Sequence, residues 1–160
     1  MTQQPTSTLR PAKVARPDPR GVTRGDRAGE VDANARRLLV RGLTVVGLIG
    51  IALIHLVELP DTWRQSTGLG ALFLILVIAA VVVAGALVHI DIPPLWQLSA
   101  LVALGPIAGY VLTRSTDVPV DHADVGNWLE PTVLVALFIE VIVLALCGSV
   151  LFATKARSAR

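Results

Sequence analysis

Four long apolar blocks, separated by short polar stretches, fill the chain from about residue 38 to residue 153. They are continuous runs, not the alternating faces of amphipathic surface helices. Each is close to the ~20 residues with which a helix crosses a bilayer core of ~30 Å. The pattern predicts spans at about 38–59, 69–89, 95–113 and 131–153. The second is the most uniformly apolar, and Ile92-Pro93-Pro94 predicts a short turn before the third. The expected fold class is all-α, an integral membrane four-helix bundle occupying residues 32–153.

The flanks read differently. Residues 1–31 are rich in Pro, Arg, Asp, Gly and Thr and nearly free of large apolar side chains. Such a segment buries too little surface to offset its chain entropy, so a disordered basic N-terminal arm is expected. Asp32 or Asn34 is suited to cap the first helix, whose opening turns carry Arg36, Arg37 and Arg41. Residues 154–160 form a basic tail. The first apolar run starts too far in for a cleavable leader, so the first helix is expected to direct insertion. Asp18, Asp26, Glu30 and Asp32 interrupt the basic arm, and no recognition motif accompanies it. The expected partners are therefore membrane lipids and a membrane-protein partner or a second copy, with no nucleic acid.

Charge then orients the spans. Nine Lys/Arg lie in residues 1–41 and three more in the tail, with only Arg64 and Arg114 between. Four spans put both termini on one side, and basic flanks mark that side as the cytoplasm. Taken as Glu58–Gly68 and Arg114–Glu130, the two outer loops hold six acids and two bases. Trp63 and Trp128 are expected at the outer interface and Trp96 at the inner one. The expected location is the cell (cytoplasmic) membrane, multi-pass, with both termini inside.

Composition narrows the chemistry. The chain is 53% hydrophobic and 16% charged, which argues against a soluble domain. Cys147 is the only cysteine, so an intrachain disulfide and a cysteine-based zinc site are excluded. No nucleophile–base arrangement, phosphate loop or dinucleotide fingerprint is present. No enzyme is expected; a lipid-modifying enzyme using the outer carboxylates has no supporting motif. The expected role is a non-enzymatic accessory or interaction protein.

Ionisable side chains inside a span are costly and mark functional candidates. His55 and Glu58 lie three apart near the outer end of helix one. Glu140 lies ~13 Å into helix four, and His55 ~6 Å below its own boundary. Side chains tilt towards a helix N-terminus, so His55 and Glu140 lean towards one another if helices one and four are neighbours. Tyr110 and Arg114 are placed to join them, with Arg114 a counter-charge for Glu58 or Glu130.

Two readings fit this group. One is a buried polar network (Tyr110, Arg114 and Glu130 with the His/Glu residues) that fixes helix register. The other is a metal- or proton-handling site, reached from outside, with His55, Glu58 and Glu140 as ligands or relay. One His with carboxylates suits Zn, Mn or Fe, although HxxE matches no zinc or di-iron motif. Paired histidine ligation of haem is not expected, because His55 and His89 lie at opposite ends. No cofactor is implied beyond a possible divalent metal. In the outer loop, Asp117, Asp121 and Asp124 do not have the spacing of a calcium loop. Asp121, His122 and Asp124 are left as a weak cation site or a solvated acidic loop. Asn127 reads as a helix cap, Glu130 as its capping-box partner and Pro131 as first-turn residue. No role is expected for His89 and Asp91.

Gly105 and Gly109, with Pro106 between them, form a GxxxG suited to close helix approach. Three elements also carry a resemblance: His55-Leu56-Val57-Glu58-Leu59-Pro60, Gly109-Tyr110-Val111-Leu112-Thr113-Arg114, and Trp128-Leu129-Glu130-Pro131 followed by Glu140. Together they resemble a recurring group of small four-helix bacterial membrane proteins, common in actinobacteria. In that pattern a Ser stands where this chain has Thr113, and Gly-Leu stands where Asp117-Val118 precede Pro119. The resemblance covers about residues 38–153. It implies the four-helix fold and singles out the same polar residues, and it implies no activity.

Overall fold

The computed structural model describes residues 24–115 and 128–159. They form α1 (Arg24–Gln65), α2 (Thr67–His89), α3 (Pro93–Ser115) and α4 (Pro131–Ser158). All four are long and apolar enough to cross a membrane. The chain divides into two compact units, Met1–Ala35 and Arg36–Arg160. In the first, helix begins at Arg24, where an irregular arm was expected through residue 31. Ala28, Ala33 and Ala35 are strong helix formers and favour this extension. The rest of the expected arm lies outside the described residues.

In the second unit, each helix buries one narrow stripe. Thr44, Leu48, Ile51 and His55 are buried on α1, and Val77, Ala80, Ala84 and Leu87 on α2. Trp96, Ser99 and Ala103 follow on α3, and Ala136, Glu140, Val143 and Cys147 on α4. Alternating steps of three and four keep each stripe on one side of its helix. Outside the stripes, Leu72, Ile75, Ile78 and Val82 on α2 and Val135, Phe138 and Val141 on α4 stay exposed. A bilayer solvates such faces, whereas water would not.

The helices approach closely where side chains are small. Gly47 of α1 lies against the Val143 side chain of α4, and a Cβ at Gly47 would collide with it. One turn on, a Cβ at Gly50 would make ordinary contact with Ile139 at 3.6 Å. At the α1–α2 turn, a Cβ at Gly70 would come within 2.8 Å of the Trp63 backbone. α3 packs against both α2 and α4. The GxxxG does not serve this packing: Gly105 and Gly109 have nothing within 4 Å of a built Cβ. Among the described glycines, those in close contact are Gly47, Gly50 and Gly70, on α1 and α2.

Hydroxyls enter the core by bonding their own helix. Thr44 Oγ1 donates to the Val40 carbonyl and Ser99 Oγ to the Leu95 carbonyl, both at 2.8 Å. Neither needs a partner on another helix.

The connections depart from expectation at two places. The stretch Glu58–Gly68, expected as a loop, is mostly helix. α1 runs through Pro60 to Gln65, and Ser66 alone separates it from α2. Asp61 and Arg64 pair at 2.8 Å along this last turn, Thr62 Oγ1 donates to the Glu58 carbonyl, and Ser66 Oγ accepts from Leu69 N at 3.4 Å. These local bonds offset the donor that Pro60 lacks. At α4, Glu130 itself occupies the N-cap, with Pro131 following and no side-chain cap. The expected cap at Asn127 lies outside the described residues, and the Glu130 carboxylate is engaged by Arg114.

Candidate functional site

Among the described residues, three groups of polar side chains join different parts of the bundle. The first lies at the end where α1 carries its arginines. Arg37 Nε sits 2.7 Å from Asp91 Oδ2 and Arg37 Nη2 3.0 Å from Asp91 Oδ1. Trp96 Nε1 donates to the same Oδ1 at 2.8 Å. Arg41 donates through Nε and Nη2 to the carbonyls of Leu87 and Val88. Those carbonyls belong to the last turn of α2, where backbone acceptors lack helical donors, so a guanidinium there completes the helix end. Burial alone would raise the Asp91 carboxyl. The hydrogen bonds from Arg37 and Trp96 and the charges of Arg37 and Arg41 outweigh it and hold Asp91 below the ordinary carboxylate range.

No role was expected for Asp91, and Trp96 was expected at the inner interface. Trp96 is 1% exposed, packed among the helices, with its indole N–H satisfied by Asp91. The signal that could have found this group is the spacing of Asp91 and Trp96 across a double proline, opposite a helix rich in arginine.

The second group lies at the opposite end. Tyr110 Oη donates to the Trp128 carbonyl at 2.7 Å, and the two rings meet edge to face at 5.7 Å. The Arg114 guanidinium lies 5.3 Å from the Tyr110 ring centroid and its Nη2 lies 3.3 Å from Glu130 Oε2. Arg114 is 4% exposed in its side chain, Glu130 43%. Tyr110, Arg114 and Glu130 are thus brought together, and they tie the last turns of α3 to the start of α4. The acidic residues 117, 121 and 124, with His122, lie outside the described residues.

The third group is a pair within the spans. His55 Nε2 of α1 lies 3.8 Å from Glu140 Oε1 of α4, and both residues are buried. His55 Nδ1 is 2.9 Å from the Ile51 carbonyl, and the imidazole meets the Phe73 ring edge-on at 4.8 Å. Glu140 Oε1 is buried without a hydrogen-bond partner. Helices one and four are neighbours here, and the tilt of side chains towards each N-terminus brings the two groups to one level.

Glu58 does not join them. It is half-buried one turn beyond His55, and its carbonyl receives Thr62 Oγ1. Among the described residues, no three His, Cys, Asp or Glu side chains converge as a metal-binding set. Of the expected set, His55 and Glu140 are thus paired and Glu58 stands apart. The reason is geometric: Glu58 shares a helix face with His55, but Glu140 reaches only the level of the imidazole.

Comparison with protein-family models, with curated proteins and with solved structures gives no match.

Proposed function

We propose that the chain is a non-enzymatic accessory or interaction protein of the cytoplasmic membrane. In this reading both termini lie on the cytoplasmic side, where the clustered Lys/Arg favour retention. One observation carries it. The Arg37–Asp91–Trp96 and Arg41 contacts at one end and the Tyr110–Trp128 and Arg114–Glu130 contacts at the other all fasten helix to helix. These polar side chains are thus committed to holding a small bundle together, while its lateral faces remain apolar. Such a body contacts lipid and other membrane-embedded helices, where close packing rather than water exclusion drives association.

Crosslinking in native membranes, followed by purification through a C-terminal tag, tests the role. A defined complex, with a membrane-protein partner or a second copy, is the expected result. A chain that stays monomeric and uncrosslinked counts against it. Protease access to tags at either terminus in intact cells tests orientation, and cleavage from outside would reverse it.

A further inference from the structure

Few groups in the spans can gain or lose a proton, and two of them are buried against each other. His55 is 6% exposed and Glu140 2%. The Ile51 carbonyl can only accept, so in the neutral imidazole Nδ1 carries the hydrogen. Nε2 then presents its lone pair towards Glu140 Oε1, which has no hydrogen-bond partner. A fixed acceptor and an orphaned oxygen face one another across 3.8 Å, beyond hydrogen-bond range.

We infer that this pair is a binding site for a single proton, held between Glu140 Oε1 and His55 Nε2. Without the proton, the site is a bare carboxylate among apolar groups, the costly state for a charge out of water. With one proton on either atom, the pair is net neutral and a donor faces an acceptor. Closure by about 1 Å then completes the hydrogen bond. A second proton leaves a net positive charge. The proton belongs to the pair rather than to either residue.

The surroundings leave the pair to itself. On α1 the next titratable group towards the Glu58 end is Glu58, and towards the other end Arg41, held by the α2 carbonyls. α2 contributes Phe73 and no titratable side chain before His89 at its far end. α3 carries Tyr110 and Arg114, in the group with Trp128 and Glu130, and α4 carries buried Cys147 two turns away. The pair sits on the α1–α4 seam beside Gly50 and Ile139, so loading the proton draws that seam together. This inference does not rest on the accessory role.

Dicyclohexylcarbodiimide, a membrane-soluble carbodiimide, tests it. A protonated carboxyl adds across one C=N bond, its proton passing to nitrogen, and the O-acylisourea rearranges to a stable N-acylurea with nothing released. The full-length protein in phosphatidylcholine vesicles is treated over a pH series in which the helical circular dichroism is constant. Peptide mass spectrometry then locates the adduct, so identification needs no variant. The adduct is expected on Glu140, with a yield that falls about tenfold per pH unit above its midpoint. His55→Gln is expected to move that midpoint. Absence of the Glu140 adduct at every pH, or a yield that ignores pH, would overturn the site. An unmoved midpoint in His55→Gln would remove His55 from it.

Discussion

Arg37 grips Asp91 at two points, Nε to Oδ2 at 2.7 Å and Nη2 to Oδ1 at 3.0 Å, across 54 positions of sequence. Asp91 belongs to the turn between α2 and α3, so this contact fastens α1 to the far end of its hairpin partner. The two-point geometry uses the planar fork of arginine, which lysine lacks.

Two substitutions at Asp91 separate the ion pair from the indole contact. Asp91→Asn keeps an oxygen for Trp96 Nε1 and loses the charge, a loss of about 1 kcal/mol for a partly exposed pair. Asp91→Ala also leaves the indole N–H of a buried Trp96 without its acceptor, at a cost of about 1–3 kcal/mol more. Thermal unfolding in detergent should rank wild type above Asp91→Asn above Asp91→Ala.

The same carboxylate confers a pH dependence of known sign. Its folded value lies below the unfolded one, so its stabilisation is complete above the ordinary carboxylate range. It is lost as pH falls through the depressed folded value, because the unfolded chain then binds the proton first. Acid titration of the melting temperature should show a larger drop in wild type than in Asp91→Asn, and the two curves should converge at the acid end.

Glycine substitutions should divide by site. Gly47→Ala places a methyl into Val143 and should cost about 1–3 kcal/mol. Val143→Ala in the same chain should return part of that loss, a coupling that a double-variant cycle measures. Gly50→Ala meets only ordinary contact, and Gly105→Ala and Gly109→Ala meet open space. These three should be neutral or stabilising by up to about 1 kcal/mol through helix propensity.

Tyr110→Phe keeps the edge-to-face ring contact with Trp128 and deletes one hydrogen bond to its carbonyl. A loss of about 0.5–1.5 kcal/mol is expected, read as a lowered melting temperature. Glu130→Gln should cost less than ~1 kcal/mol, because its side chain is 43% exposed and water screens the pair.

The spans and the helical class were legible because continuous apolar runs have few alternatives. The convergence of His55 and Glu140 was legible as well, since side-chain tilt on antiparallel neighbours follows from helix geometry. Connections were not. Pro60, Asp61 and Arg64 carry loop-like composition, yet the bonds of Thr62, Ser66 and the Asp61–Arg64 pair keep that turn helical. Asp91 and Trp96 were missed for a different reason. Their partner lies on α1, and nothing local to a turn records which residue of a distant helix will face it. The GxxxG misled because small-residue spacing names a face without saying what meets it.

The single-residue link at Ser66 bears on how the chain is built. Synthesis proceeds from the N-terminus, and by residue 89 both helices of the α1–α2 hairpin have been made. Its own contacts, Trp63 on Gly70, His55 on Phe73 and Arg41 on the Leu87 and Val88 carbonyls, need nothing that comes later. Arg37 and His55 must wait for Asp91 and Glu140, which are made later. The hairpin's contacts are thus complete within its own sequence, and those of α3 and α4 are added to it.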